Sequence, residues 1–327
     1  PFDKKNSNLI NFNFNLITSK TLWALSPIIN FCDIQYSNDG NALFLVLNDE
    51  PQKIKKLFTY LENNTSIGRL LDIDIYDANN QKLSRGTLRK CFICDKPAFE
   101  CARSNRHSKD EIIQYVQKVL YESFRDALSS TMTNSIYDEL YTTPKPGLVD
   151  LNNNGSHKDL NVKILQKSIR TISKHFPNVI DTTYYFIKNN KLSSDNYKKL
   201  FILLQNIGKN IENDMFAATK NVNTHKGAIY LSILILSSFT IIIAKDEKYD
   251  CHHCLLEDMS EIIHKLVEYN YHLSTKTSTN NPSTHGDYVY KKFKTFGPRE
   301  EAYNGMKSVI FGHYNIIDNL YNINNKN

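Results

Sequence analysis

The sequence predicts a two-domain protein in which a small α/β domain precedes an all-α domain. Three observations lead there. A chain of 327 residues is long for one hydrophobic core. Its apolar residues change along the chain from short alternating runs to helical spacing. The change falls near His107, where Ser108 and Glu111 form the S-x-x-E signature of a helix start. The expected domains are therefore 1–107 and 108–327.

The first domain is expected to be built largely of strands. From Leu9 to Asp77 the apolar runs are short, as in ALFLVL (Ala42 to Leu47) and RLLDIDIYD (Arg69 to Asp77), and turn residues separate them. One helix, from about Pro51 to Leu61, interrupts the strands. After Ser108, the residues Ile112, Ile113, Val116, Val119, Leu120, Phe124, Leu128 and Ile136 keep helical spacing, which predicts a long helix opening the second domain. Beyond Thr143, segments such as NVKILQKSIRTISKHF, LFILLQNIGKNI and DMSEIIHKLVEYNYHL hold the same period. An all-α domain follows.

Net charge is +6, with 14 basic against 11 acidic residues before Ser108 and 26 against 23 from it onward. Neither part is a polycation, so charge gives no reason to expect a nucleic-acid partner. The longest apolar run, IYLSILILSSFTIIIA (Ile229 to Ala244), carries four Ser or Thr residues. It is shorter than the roughly 18 to 20 residues that cross a bilayer, so a buried helix and no membrane partner are expected. The chain opens at Pro1 and shows no signal peptide. Six cysteines, among them two C-x-x-C pairs, suit a reducing cytoplasm better than a secreted disulfide framework.

Asp72 and Asp74 stand two apart on an expected strand, so they share one face beside Gly68 and Arg69. Two carboxylates projecting together are what Mg²⁺ on a di- or triphosphate requires; a solvated strand face is the alternative. Between Lys82 and Lys109 eight Lys or Arg residues face two acidic ones. Arg85, Arg89 and Lys90 there would suit a polyphosphate beside the metal, the alternative being a solvated basic surface. Within the same stretch Cys91, Cys94, Cys101 and His107 give C-x2-C-x6-C-x5-H, a spacing compatible with a structural Zn²⁺ or with buried free thiols. Cys251 and Cys254, around two histidines between helices, read as thiols rather than ligands.

In the second domain three Gly and His segments recur at helix ends. In TPKPGLVDLNNNGSHKD two prolines disfavour helix, so a stiff loop is expected to hold Lys145, Asp150, His157 and Asp159. In NVNTHKGAIYL, Asn223, Thr224, His225 and Lys226 sit where a helix begins, and Gly227 lets a ligand approach the backbone. Free N–H groups and the helix dipole favour an anion there, and Lys226 adds charge. The third segment offers His285, Arg299, Glu300 and Glu301. Singly each reads as a helix cap; together they read as one polyphosphate-binding cleft. None is a Walker or Rossmann motif.

The combination TPKPGLVD-x2-NNG-x-H-x-D, NVNTHKGAI and STHG…G-x-R-x-EA resembles the triphosphoribosyl-dephospho-CoA synthase family over most of the second domain. The stretch GRLLDIDIYD…LSR…RKC-x2-C…CARS-x2-H resembles the C-terminal part of the apo-citrate lyase phosphoribosyl-dephospho-CoA transferase family. Both domains look incomplete at their outer ends, and Pro298 stands where the synthase motif has alanine.

The resemblance implies a nucleotidyltransferase-like first domain and two consecutive reactions. In the first, the 2′-hydroxyl of 3′-dephospho-CoA attacks the anomeric carbon of the ATP ribose and expels adenine. In the second, a serine of the apo acyl carrier (gamma) subunit of citrate lyase displaces pyrophosphate. Asp150 or Asp159 would be base or metal ligand, His157 and His225 would move protons or touch ribose, and Lys145, Lys226 and Arg299 would hold phosphates. Asp72 and Asp74 would carry Mg²⁺ for the second step, with Arg69, Arg85, Arg89 and Lys90 on phosphates. The alternatives are the matching pair for malonate decarboxylase and an inactive module that docks a carrier protein.

Overall fold

A computed structural model describes residues 7–37, 40–94, 96–245, 252–277, 292, 297–310 and 312. Cys251 and His285 lie outside them. The chain divides into two compact units, Pro1–Phe124 and Arg125–Asn327.

The first unit opens with helix α1 (Ser7–Leu25), where strands were expected. The alternation in NFNFNL favours a strand locally, but Leu9, Phe12, Asn13 and Leu16 also fit a helical face. Tertiary contacts decide between the two patterns. Phe12 meets Phe124 edge-on at 5.0 Å, and the buried Asn13 amide donates to the carbonyls of Leu9 (2.8 Å) and Leu120 (3.0 Å). Strands β1 (Ile29–Gln35) and β2 (Ala42–Leu47) form one antiparallel pair, in register from Phe31↔Val46 to Gln35↔Ala42. The α/β expectation is thus met only coarsely, by helices and a two-stranded sheet. Helix α2 (Pro51–Asn64) starts on Pro51, whose missing N–H costs nothing at a first turn.

The stretch RLLDIDIYD, expected as a strand, enters no sheet. A 3₁₀ turn covers Gly68–Leu70, and the extended chain after it makes only the isolated bridge Tyr76↔Lys82. Side chains satisfy the backbone in place of a neighbouring strand. Glu62 accepts from the Ile73 N–H (3.3 Å), and the Lys55 ammonium donates to the Ile73 carbonyl (3.2 Å). Arg89 donates to the carbonyls of Arg69 (2.7 Å) and Leu71. Gly68 has no substitute at the turn, since a Cβ there would stand 2.2 Å from the Leu61 carbonyl oxygen.

A tight hairpin follows, closed by Ala98 N–H to Arg89 O (2.7 Å) and Cys91 N–H to Lys96 O (2.8 Å). It leads into α3 (Ala98–Arg103). Ser108 and Glu111 cap α4 (Lys109–Tyr141) reciprocally: the Glu111 N–H donates to Ser108 Oγ (3.1 Å) and the Ser108 N–H to Glu111 Oε2 (2.8 Å).

Among its described residues the second unit is helical: α5 (Val162–Ile172), α6 (Phe176–Asn189), α7 (Ser194–Ala218), α8 (Lys226–Lys245), α9 (His252–Thr277) and two short helices, Pro298–Tyr303 and Lys307–Ile310. Helix α8 is long and apolar enough to cross a membrane, but 67 % of its apolar window is buried within the unit. Its hydroxyls are satisfied internally: Ser238 donates to Ile235 O, Thr240 to Leu236 O, and Thr183 of α6 to Ser237. The loop after α4 is anchored by Val149, buried with Leu140, Leu165 and Ile169. Ile169→Ala should therefore cost about 2–5 kcal/mol in chemical denaturation, because it leaves a cavity under that loop.

Candidate active sites

In the first unit a cleft of about 340 Å³ is lined by Lys55, Glu62, Asp72, Asp74, Lys82, Ser84, Arg85 and Arg89, among others. The extended backbone brings Asp72 and Asp74 to the same cleft, as their spacing predicts. The charges there are paired: Lys82 with Asp74 (2.7 Å), Arg89 with Asp72 (3.3 Å), and Arg85 with the buried Glu62. The Asp74 carboxylate holds the Lys82 amine above its ordinary range. Asp72 keeps its side chain 89 % exposed. A ligand carrying both a cation and anionic oxygens could exchange with the Lys82–Asp74 and Arg89–Asp72 pairs without leaving a buried charge alone, whereas the buried Glu62 needs Arg85.

Two expected phosphate ligands are engaged elsewhere. The Arg69 guanidinium donates to the carbonyls of Lys90 (3.4 Å) and Cys91, and neither Arg69 nor Lys90 lines the cleft. The Arg89 guanidinium donates to two backbone carbonyls as well as to Asp72. Lys55 and Glu62 did not stand out in the sequence. Their signal is an i, i+7 charged pair on one face of α2, on the side that also buries Ile54.

Cys91, Cys94, Cys101 and His107 also converge, with all four donor atoms within 4.8 Å of one another. Burial pushes the Cys101 thiol up to about 11, and the neighbouring Cys94 and Cys91 sulfurs add to the shift. Burial acts on Cys91 in the same direction, but N–H groups of Cys94 and Ile93 aimed at its sulfur bring it below the usual thiol range.

In the second unit the TPKPGLVD loop follows α4 through a cis Thr143–Pro144 bond and folds back on itself. Ser156 N–H donates to Gly147 O (3.0 Å), and Gly155 packs so closely there that a Cβ would stand 2.5 Å from Gly147. With φ at +57°, Gly155 is glycine for two reasons. Asp150 is buried at the centre and accepts from the N–H groups of Lys145 (3.1 Å), Asn152 (2.8 Å) and Asn153 (2.9 Å). Those N–H groups, that of Lys145 foremost, hold its carboxyl below the usual range. Lys145 itself pairs with Glu139 (2.9 Å), while His157 and Asp159 are exposed.

The NVNTHKG segment starts α8. Asn223 Oδ1 accepts from the Lys226 N–H (3.4 Å), and the Lys226 ammonium pairs with Glu212 (3.0 Å). Thr224 Oγ1 donates to Ser168 Oγ (2.7 Å), which lies 2.7 Å from His225 Nδ1. Ser168 Oγ, with one proton and two lone pairs, is thus the common partner of Thr224 and of His225 Nδ1. Burial lowers the His225 pKa, opposed by the charge of Glu139. Burial likewise pushes the Tyr230 phenol up to about 12, against the charge of Arg299. A Cβ on Gly227 would meet only Pro298 Cγ, at 3.8 Å. Parts of the three motifs come near one another: Glu139, paired with Lys145, exerts its charge on His225, Gly227 faces Pro298, and Arg299 exerts its charge on Tyr230. Ser168 and Glu139 were not singled out in the sequence; Ser168 is a small polar residue on the apolar face of α5.

Residues 2–123 match the family described as apo-citrate lyase phosphoribosyl-dephospho-CoA transferase, and residues 125–326 match that described as ATP:dephospho-CoA triphosphoribosyl transferase. The chain is 28 % identical over 285 residues to "Protein CitXG" of Haemophilus influenzae (83 % of this chain, 58 % of that one). It is 29 % identical over 288 residues to "Protein CitXG" of Leuconostoc mesenteroides subsp. cremoris (83 % and 60 %). It is 31 % identical over 182 residues to a 2-(5''-triphosphoribosyl)-3'-dephosphocoenzyme-A synthase of Pectobacterium atrosepticum (56 % of each). The chain spans 58 % and 60 % of the length of the two CitXG relatives. No solved structure matches it. By its second unit, which carries most of the chain, this protein belongs to the ATP:dephospho-CoA triphosphoribosyl transferase family, preceded by a segment matching the apo-citrate lyase phosphoribosyl-dephospho-CoA transferase family.

Proposed function

We propose that the chain assembles the citrate lyase prosthetic group in two steps. The C-terminal part joins ATP to 3′-dephospho-CoA and releases adenine. The N-terminal part, a nucleotidyltransferase-like module, then transfers the phosphoribosyl-dephospho-CoA group to a serine of the apo acyl carrier (gamma) subunit and releases pyrophosphate. The observation that carries this reading is that each family match fills one compact unit, and each unit holds its own cluster of charged groups. Both nucleotide substrates belong to the cytoplasm.

In the first step the C1′–N9 bond of ATP breaks as the 2′-oxygen arrives, so the leaving adenine needs a proton and the triphosphate needs cations. His225, once protonated to the imidazolium, is suited to pass a proton to the leaving adenine and return to the neutral form. Lys145, Lys226 and Arg299 supply charge for phosphates, with Asn223, Thr224 and Gly227 shaping the turn. Asp150 has its oxygens occupied by backbone N–H groups, so its role is to order the loop; the exposed His157 and Asp159 are the better choices for receiving the hydroxyl proton.

In the second step the carrier serine attacks a phosphorus and pyrophosphate leaves, a reaction governed by position and charge neutralisation. Asp72 and Asp74, hard oxygen donors on one wall of the cleft, fit Mg²⁺, which would offset charge on the leaving pyrophosphate. Lys82 and Arg89, released from carboxylates that solvent reaches, would take phosphate oxygens, and Arg85 would offer its other N–H groups while still holding the buried Glu62. Arg69 and Lys90 would act from behind, by shaping the backbone under Arg89.

The chain mixed with ATP, Mg²⁺ and 3′-dephospho-CoA should release one adenine per product formed; a folded chain that releases none overturns the synthase assignment. His225→Gln should slow that release by about 10²-fold. Because the His225 pKa is lowered, the imidazolium forms only below the ordinary imidazole range, so the His225 contribution, read as the rate ratio of parent to His225→Gln, should grow as pH falls through the lowered pKa.

Asp72→Asn combined with Asp74→Asn should cut transfer to the carrier by about 10²-fold or more while adenine release persists. Equal loss of both activities would contradict the division. Asp150→Ala should speed hydrogen exchange at the Lys145, Asn152 and Asn153 amides. In the parent, the depressed Asp150 pKa means this ordering is full above the usual carboxylate range and is lost as pH falls through the lowered value.

A further inference from the structure

We infer that the N-terminal unit holds a structural zinc ion on Cys91, Cys94, Cys101 and His107. Cys94 Sγ lies 3.5 Å from Cys101 Sγ, and His107 Nε2 lies 3.4 Å from Cys94 Sγ. Tetrahedral zinc, with Zn–S of about 2.3 Å and Zn–N of about 2.0–2.1 Å, sets two sulfurs about 3.8 Å apart and a sulfur and nitrogen about 3.6 Å apart. The observed spacings need shifts of only a few tenths of an ångström to meet these. A disulfide would draw two sulfurs to about 2.05 Å, use half the donors, and leave His107 facing a sulfur for no purpose.

Backbone and packing favour the same ligand set. Cys91 and Cys94 sit on the hairpin closed by Ala98 N–H to Arg89 O, Cys101 on α3, and His107 just before α4. Three elements thus bring four donors to a common point, two of them from the hairpin. Phe92 of the hairpin stacks on Tyr115 of α4 at 6.0 Å, which holds the loop against the helix from the other side. Cys91 and Cys101 are buried, and Cys94 and His107 are half-buried. All four positions come from protein, so no site is open to substrate and the ion is structural. Binding releases the thiol protons to solvent, leaving three thiolates and a neutral imidazole on Zn²⁺.

The ion also tethers one wall of the carboxylate cleft. Arg89 begins the hairpin and holds the carbonyls of Arg69 and Leu71, and Arg69 in turn donates to the carbonyl of Cys91. Zinc and the Asp72 backbone are therefore linked by two guanidinium groups.

Metal analysis of the chain purified without chelator should find about one zinc per chain. Cobalt exchanged into it should show thiolate-to-metal charge transfer and the absorption of a tetrahedral ion. Cys101→Ser should lose the metal, Cys32→Ser should keep it, and His107→Cys should keep it with a cobalt spectrum shifted toward four sulfur ligands. Chelation should speed hydrogen exchange at the Cys91 and Ala98 amides. A folded chain without zinc whose cobalt complex lacks thiolate charge transfer overturns the site, and full zinc retention in Cys101→Ser overturns the ligand set. Unchanged exchange at both amides on chelation overturns the tether.

Discussion

A backbone segment that leaves regular secondary structure must still find partners for its N–H and C=O groups, and in both units charged side chains provide them. In the first, Glu62, Lys55 and Arg89 take the polar groups of residues 69 to 73 that a neighbouring strand would otherwise pair. In the second, Asp150 gathers three N–H groups of its own loop. The cost of burying those charges is offset because each is hydrogen-bonded to backbone or paired with an opposite charge. Removing one partner would leave the others buried and unmatched.

That constraint also explains why the candidate chemistry is found where it is. A segment held by side chains rather than by a sheet can present successive carboxylates to a cleft, because no neighbouring strand covers that edge. A loop ordered around one carboxylate can keep Lys145 beside Glu139, and so within electrostatic reach of His225. Lys55, Glu62 and Arg89 both hold backbone and line the cleft, while the other residues divide into a set that holds backbone and a set that faces the candidate sites. Asp150 and Arg69 belong to the holding set; Asp72, Asp74 and His225 belong to the other.

The sequence motifs did not separate those two sets. Asp150 and Asp159 look alike within VDLNNNGSHKD, yet one is buried under N–H groups and the other is exposed. Arg69, Arg85 and Arg89 form one basic stretch in the sequence, yet they face a carbonyl pair, a buried carboxylate and a backbone turn respectively. Which way a long side chain turns depends on unpaired groups that folding brings near it, and those come from elsewhere in the chain.

By itself the sequence determined the helices of the second unit, the capped start of α4, the ALFLVL strand and the closeness of Cys91, Cys94, Cys101 and His107. Periodicity, a capping pair and short Cys and His spacings are local signals, and local geometry carries them. Only the tertiary structure decided that NFNFNL is helical, that RLLDIDIYD pairs with side chains, and that Lys55, Glu62, Glu139 and Ser168 lie at the candidate sites. Those outcomes turn on contacts between residues far apart in sequence, such as Asn13 with Leu120 and Ser168 with His225, which no local pattern encodes.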